Sequence, residues 1–391
     1  EYEVCRLAKK LNVPVLLWGP RDECPDENGM RLRDSQCGLF ATGKVLRRFG
    51  IPFTYLKNCN LEDECFAEGI DRFLRVCNVV KAFRNTRVLQ ISTRPFDFWS
   101  TMCNEGELLE KFGIQLSPIP MPELTQAMKD VKENSPEEIK EVTDYCREKM
   151  CIKVTPEQLD NVAALKIAMT RLGKKYGCNC GAIQCWNALQ DEIGIMPCAA
   201  NALCNDEGFP IACETDIHGT ITSVLVEAAA MGETRSFFAD WTVRHPYNDN
   251  AELLQHCGPW PISIAKEKPT IDTPVAFDCS GSLMAQAKDG EHISLVRFDG
   301  DNGEYSLLLG NAKTVDGPYT KGTYMWVEVE NLDRLEDKLV QGPYIHHCVG
   351  VHQDVVPVLY EACKYIGVTP DLYDPIEEKV KAIIRGEKVE K

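Results

Sequence analysis

The stretch GFPIACETDIHGTIT, residues 208–222, decides how the chain is read. A short apolar run, Phe209 to Ala212, leads directly into Cys213, Glu214, Asp216 and His218, and an apolar helix-like segment follows. An apolar run of this length behind Gly208 reads as a buried strand. In open parallel sheets, ligands bind just outside the carboxyl ends of the strands. Three ionisable groups within five residues therefore mark a metal or acid/base site. The competing reading is a polar loop in which Asp216 caps the following helix or stands behind the site.

Toward the N-terminus the same strand–helix alternation repeats. VPVLLW (13–18) reads as a buried strand, and a helical pattern runs through Leu39, Val45, Leu46 and Phe49 to Gly50. PFTYL reads as a strand, 61–84 as a helix, and RVLQIST (87–93) as another strand. Such alternation implies parallel pairing in a doubly wound sheet. SPEEIKEV and TPEQLDNV each place Ser or Thr before Pro with Glu138 or Gln158 three residues on, so both predict a capping box at a helix start. The second of these helices, about 156–175, ends at Gly177.

Toward the C-terminus the texture changes at about residue 234. Helical periodicity nearly vanishes between 270 and 345. SLMAQA, HISLVRF, EYSLLLG and YMWVEVE alternate with Asp-Gly and Asn-Gly pairs at 289, 299, 302 and 316. Such pairs punctuate hairpins and predict an antiparallel sheet or small barrel, closed by a helix from Val355 to Ile366. DGDNGE (299–304) reads as a hairpin turn, since it lacks the ligand spacing of a calcium loop. The expected architecture is α/β: a doubly wound parallel sheet domain at 12–233, then a β-rich, barrel-like antiparallel domain at 234–391. Residues 1–11 begin in mid-helix without a capping residue, and read as the end of a further N-terminal domain.

Bulk properties narrow the function. Hydrophobic content of 44% and charged content of 26% are those of a globular protein. A net charge of −16 argues against a nucleic-acid partner, which would need a basic patch. No apolar run approaches the roughly 18 residues of a membrane span; the best, ITSVLVEAAAMG at 221–232, contains Glu227. Nineteen cysteines are scattered through predicted helices and strands, and read as reduced, buried thiols in a cytoplasmic protein. Cys178, Cys180 and Cys185 lack the paired spacing of zinc sites and are assigned to the core.

Two further stretches share the chemistry of 208–222. RSFFADW (235–241) is an apolar strand ending on Asp240, and GPYIHHCVGVH (342–352) gathers His346, His347 and His352. Carboxylates at strand ends with a histidine make an O/N donor set suited to Mn²⁺, Fe²⁺, Zn²⁺ or Mg²⁺. His352 is expected to orient a metal-bound histidine or to pack in the core.

These residues carry a resemblance. AIQCW (182–186), the ACE-x-D-x-x-G pattern at 212–219, FFAD (237–240) and GPYIHH (342–347), in this order, resemble the L-fucose isomerase/L-arabinose isomerase superfamily of metal-dependent aldose–ketose isomerases. The resemblance implies a divalent cation, usually Mn²⁺, held by Glu214, Asp240 and His347, with His346 as the other candidate of the doublet. It also implies a sugar contact from Gln184, beside which His346 is assigned to the substrate, and a homo-oligomer, commonly a hexamer; Trp241, just after Asp240, is a sugar-stacking candidate in a position more often filled by core. The implied reaction passes a proton between C1 and C2 of a sugar through a cis-enediol, with Glu214 and Asp240 in both ligation and proton transfer. The implied substrate is an L-fucose- or D-arabinose-like sugar; a sulfonated hexose of the sulfoquinovose type is the alternative, for which Arg94 and Arg244 could receive the anionic group. A non-catalytic sugar-binding protein is the reading from another class, and a metal-dependent hydrolase would use the same donors.

Overall fold

The computed structural model describes residues 1–274 and 278–389. The helix Tyr2–Leu11 packs Cys5 and Ala8 against Leu46 and Ile51, the last residues of a small N-terminal core. Strand β1 (Leu16–Leu17) pairs in parallel with β2 (Thr54–Tyr55), and the helix Ser35–Arg48 connects them. These two strands do not join the sheet that follows. Parallel strands thus occur in two blocks rather than in the one run expected from residue 13, because the two-residue strands pair only with each other among the described residues.

The helix Glu64–Arg84 then leads into the main parallel sheet. Strand β3 (Arg87–Ile91) is followed by β4 (Gln115–Ile119), and the chain turns helical through Met121–Asn134 and Pro136–Lys149. After β5 (Cys151–Ile152) and the helix Pro156–Tyr176, the chain returns as β6 (Cys180–Ile183) and β7 (Ile211–Ala212). The sheet order is β4-β3-β6-β7, all parallel, so β6 and β7 end side by side. Thr155 and Gln158 close the expected capping box, and Gly177 ends that helix in the left-handed conformation at φ 66°. The other expected box does not form. Ser135 and Glu138 both turn to the Arg171 guanidinium, at 2.9 and 2.5 Å, because a charge-assisted partner outcompetes a backbone amide.

The C-terminal half closes into a barrel. β8 (Phe237–His245) and β9 (Asn248–His256) form a hairpin, and β10 (Thr270–Asp272) and β11 (Ser282–Gln286) extend the sheet beyond the barrel wall. β12 (Ile293–Asp301), β13 (Glu304–Thr314), β14 (Thr323–Glu328) and β15 (His347–Val351) complete the wall; β16 (Thr369–Leu372) adds in parallel to β13. The closed circuit runs β12-β15-β8-β9-β14-β13 and back to β12, antiparallel throughout. Asn302 and Gly303, both at positive φ, make the two-residue turn between β12 and β13. Asp299 and Gly300 lie within β12 instead, paired with Ser306 and Tyr305. A helix, Leu332–Gln341, interrupts the region expected to lack helices; Asn331 caps it, and its buried Leu332 and Leu335 recur three residues apart.

The helices Ile217–Ala229 and Val356–Ile366 join the two halves. Their apolar faces share one core with Phe83, Phe238, Phe298 and Val349. A fully buried phenylalanine such as Phe83 or Phe298 contributes about 1.5–3 kcal/mol over its exposed state. Cys178, Cys180 and Cys185 are buried, and all nineteen cysteines are unpaired. No helix among the described residues is long and apolar enough to cross a membrane.

Candidate metal centre and active site

The turn after β7 carries Glu214. It is bound to its neighbour β6 by the Thr215 amide, which donates to the Ile183 carbonyl at 3.0 Å, and to the loop after β3 by the Thr215 hydroxyl, which donates to the Thr93 carbonyl at 2.9 Å. Glu214 and Thr215 both take left-handed backbone, at φ 58° and 53°. Neither is glycine, so the turn stores strain that its hydrogen bonds must hold, a common property of functional turns. Asp216 follows as the cap of the helix Ile217–Ala229, accepting from the Gly219 amide at 2.9 Å.

The barrel supplies the rest. Asp240 on β8 stands directly opposite His347 on β15 and beside Gln255 on β9, so His256 is one residue away. His347 Nε2 lies 3.1 Å from Glu214 Oε2 and 3.5 Å from Asp240 Oδ1. His256 Nε2 lies 3.8 Å from each of those same oxygens. All four atoms are buried and without a hydrogen-bond partner. Four orphaned donors converging in this way fit a cation. Ligands about 2.1 Å from a common centre sit roughly 3.0–3.4 Å apart along a coordination edge. Glu214, His256 and His347 form one group able to hold an ion, and Asp240, His346 and His347 another.

Behind the donors lies a buried charge network. His347 Nδ1 bonds Asp216 Oδ2 at 2.8 Å, which turns Nε2 toward the carboxylates. Arg297 on β12, 1% exposed, pairs with Asp216 and with Asp299, the latter at 2.8 Å, and Asp299 also bonds His218 Nδ1 at 2.9 Å. Burial raises the Asp216 carboxyl, but the Arg297 charge and the His347 bond outweigh it and hold it well below the carboxylate range. Burial likewise raises Glu214, and the His256 and His347 rings beside it pull it far below its ordinary value. Burial lowers His347, but its bond to Asp216 and the Glu214 carboxylate beside it push it up to about 10.

The structure brings Glu214, Asp240 and His347 together, keeps His346 at the rim of the group beside Asp240 and His347, and places Trp241 and His352 apart from it. His346 is exposed, its ring centroid 4.5 Å from that of His347 and its carbonyl accepting from the Trp241 amide. Gln184 follows directly on β6, and its Oε1 accepts from the Ser92 hydroxyl at 2.7 Å. Trp241 points to the opposite face of β8 from Asp240, into a core that includes Leu254 and Trp260. The indole at Glu214 is that of Trp186, whose Nε1 donates to Oε1 at 3.3 Å. His352 does not orient His347; it bonds the Lys288 carbonyl at 2.9 Å, and Asp216 takes the orienting part. Arg244 is exposed and already paired with Glu336 and Asp333, which leaves Arg94, stacked on Trp99, as the arginine of the loop after β3. Phe98 of that loop packs 5.5 Å from His347, between ring centroids.

Sequence reasoning missed His256, Arg297 and Asp299. His256 occupies no motif, and only strand register reveals it; Arg297 and Asp299 sit two apart on a strand face that sequence alone would leave in solvent.

Comparison with known proteins adds a separate line of evidence. A family model described as the N-terminal domain of fucose/sulfoquinovose isomerases matches residues 1–84. The sulfoquinovose isomerase of Priestia aryabhattai is 25% identical over 375 residues, spanning 94% of this chain and 82% of the relative. That of Priestia megaterium matches to the same extent, and that of Alkalicoccus urumqiensis is 24% identical over 357 residues, 90% of this chain and 79% of its own. The domain match and the relatives aligned along nearly the whole chain together support a relation of this chain to the fucose isomerase superfamily.

Proposed function

We propose that this protein is an aldose–ketose isomerase acting on a sulfonated hexose of the sulfoquinovose type. The observation that carries the chemistry is the meeting of four buried, unpartnered donor atoms from Glu214, Asp240, His256 and His347. The substrate class rests on the relatives, all three of which bear the name sulfoquinovose isomerase; they favour this sugar over the fucose- or arabinose-like one.

Glu214, Asp240 and His347 would hold a divalent cation, Mn²⁺ in this reading, with His256 as a neighbouring donor. Bound there, it would act as a Lewis acid toward the oxygens on C1 and C2. The carboxylates of Glu214 and Asp240 flank the same space. One of them takes the proton from C2 of the aldose and returns it to C1, while the O2 hydroxyl proton passes to O1. Asp216 keeps the His347 ring from rotating, and Phe98, Phe238 and Trp186 wall the centre with aromatic surface. We also assign the protein to the cytoplasm, on its nineteen unpaired cysteines, and to a homo-oligomer by resemblance, which light scattering would measure.

The test is turnover of sulfoquinovose, L-fucose and D-arabinose, with and without Mn²⁺, followed by solvent deuterium entering at C1 or C2. Sulfoquinovose is expected to turn over fastest, with deuterium incorporated. Sugar binding without exchange would favour the binding-protein reading and refute isomerisation; faster turnover of fucose would refute the substrate.

A further inference from the structure

Remote from the barrel donors, Cys59, Asp63 and Cys65 bring two sulfurs and a carboxylate oxygen within 4.8 Å of one another. The backbone builds this cluster. Cys59 leaves β2 bridged to Pro20, and its carbonyl accepts from the Arg21 amide. The Asn60 amide donates to Asp63 Oδ2 at 2.8 Å, and the Asp63 amide donates back to the Asn60 carbonyl at 3.3 Å, so the loop closes on itself. Asp63 stands at the N-cap position of the helix Glu64–Arg84 without a side-chain cap bond, which places Cys65 in the first turn.

Cys59 is 2% exposed, and the Trp18 indole N–H donates to its sulfur at 3.3 Å. Burial pushes the Cys59 thiol up, and the Trp18 bond pulls it partly back. Asp63 forms no ion pair among the described residues. The two sulfurs share a hydrogen bond, and together with the Asp63 carboxylate they receive two N–H donors and face the positive end of a 21-residue helix. With the thiols deprotonated, the three groups would present a donor set for a cation.

We propose that Cys59, Asp63 and Cys65 form a second metal site, specific for a thiophilic ion such as Zn²⁺. Two thiolates and one carboxylate fill three tetrahedral positions and leave the fourth to water. The ion displaces both thiol protons, so loading strengthens as pH rises. Ligand softness sorts the two centres: the O/N set at Glu214 suits Mn²⁺, and the sulfur pair does not. The bound ion ties the loop after β2 to the helix beside it, a structural role.

Titration of the reduced, full-length protein with Cd²⁺ tests this through the ultraviolet sulfur-to-cadmium charge-transfer band, which the O/N centre cannot produce. One equivalent should saturate the band, and Zn²⁺ should compete it away and raise the melting temperature. C65S should abolish the band, and D63N, which can still accept from the Asn60 amide, should weaken Cd²⁺ binding at least about tenfold with isomerase turnover unchanged. C59S alters a buried sulfur and is read only if it melts cooperatively. Absence of the band, its persistence in C65S, or reduced thiols at 59 and 65 that take up no Cd²⁺ would each overturn the site.

Discussion

Replacing Asp216 with Asn separates the work of its charge from that of its shape. Asn caps a helix as well as Asp, so the Gly219 contact survives at almost no cost. The charge is lost between two cationic neighbours, Arg297 and the His347 ring, at a position 0% exposed. Removing one partner of a buried ion pair costs about 3–5 kcal/mol. Asp299 stays beside Arg297 at 2.8 Å, so the loss should fall near the lower end, about 3 kcal/mol. A second, separable loss follows at the proposed metal centre. A histidine ligand deprived of its carboxylate partner weakens cation binding about 10–100-fold, or about 1.4–2.7 kcal/mol. Urea unfolding of the cation-free protein reads the first term, and Mn²⁺ titration calorimetry the second. A D216N protein with unchanged urea midpoint and unchanged Mn²⁺ affinity would refute the assignment of Asp216 as the residue that aims His347.

Three further outcomes are expected. Glu214→Gln is nearly isosteric and should cut turnover by at least about 10²-fold with the circular dichroism spectrum preserved; a folded mutant with near-normal turnover removes Glu214 from the chemistry. Burial, then the charge of Glu336, push the Glu252 carboxyl up to about 7 from 4.5. Its folded value lies above its unfolded one, so stability is full below about pH 4.5 and falls as pH rises through about 7. Glu252→Gln should therefore gain on the order of 3 kcal/mol over wild type near ~pH 8 and nothing near ~pH 4 in urea melts; a gain independent of pH would contradict this. Gly350 on β15 faces Phe237, whose ring atoms lie 2.1–2.7 Å from where a β-carbon would stand. Gly350→Ala should cost about 1–3 kcal/mol, and an unchanged melting temperature would show that the ring can move aside.

Where side-chain periodicity and turn chemistry act locally, the sequence was legible. The Thr155 capping box, the αL Gly177, the Asn302-Gly303 turn and the strands of the barrel are all written in neighbouring residues. The Ser135 box was not, because Arg171, 36 residues away, captures both of its side chains. The same limit governs the site. Glu214 follows a strand and His347 opens one, each beside an apolar run, which singles them out; Asp240, expected to end its strand, lies within β8 because the barrel hairpin carries that strand on to His245. His256 is reached only through the β8–β9 register, and that hairpin slips at irregularities between Trp241 and Arg244 and again before His245, so counting back from the turn misplaces it. Arg297 looks like an outward-facing strand residue until the helix Ile217–Ala229 lies across it and brings Asp216 to its guanidinium.

The left-handed turn at Glu214 belongs to the parallel layer, whereas Asp240, His256 and His347 are fastened to three adjacent staves of the barrel. Any sliding of one layer over the other therefore leaves three donors fixed and carries the fourth away. For the proposed cation, grip and closure of the seam would be a single event, so the seam between the layers is where such a site would trade hold for release.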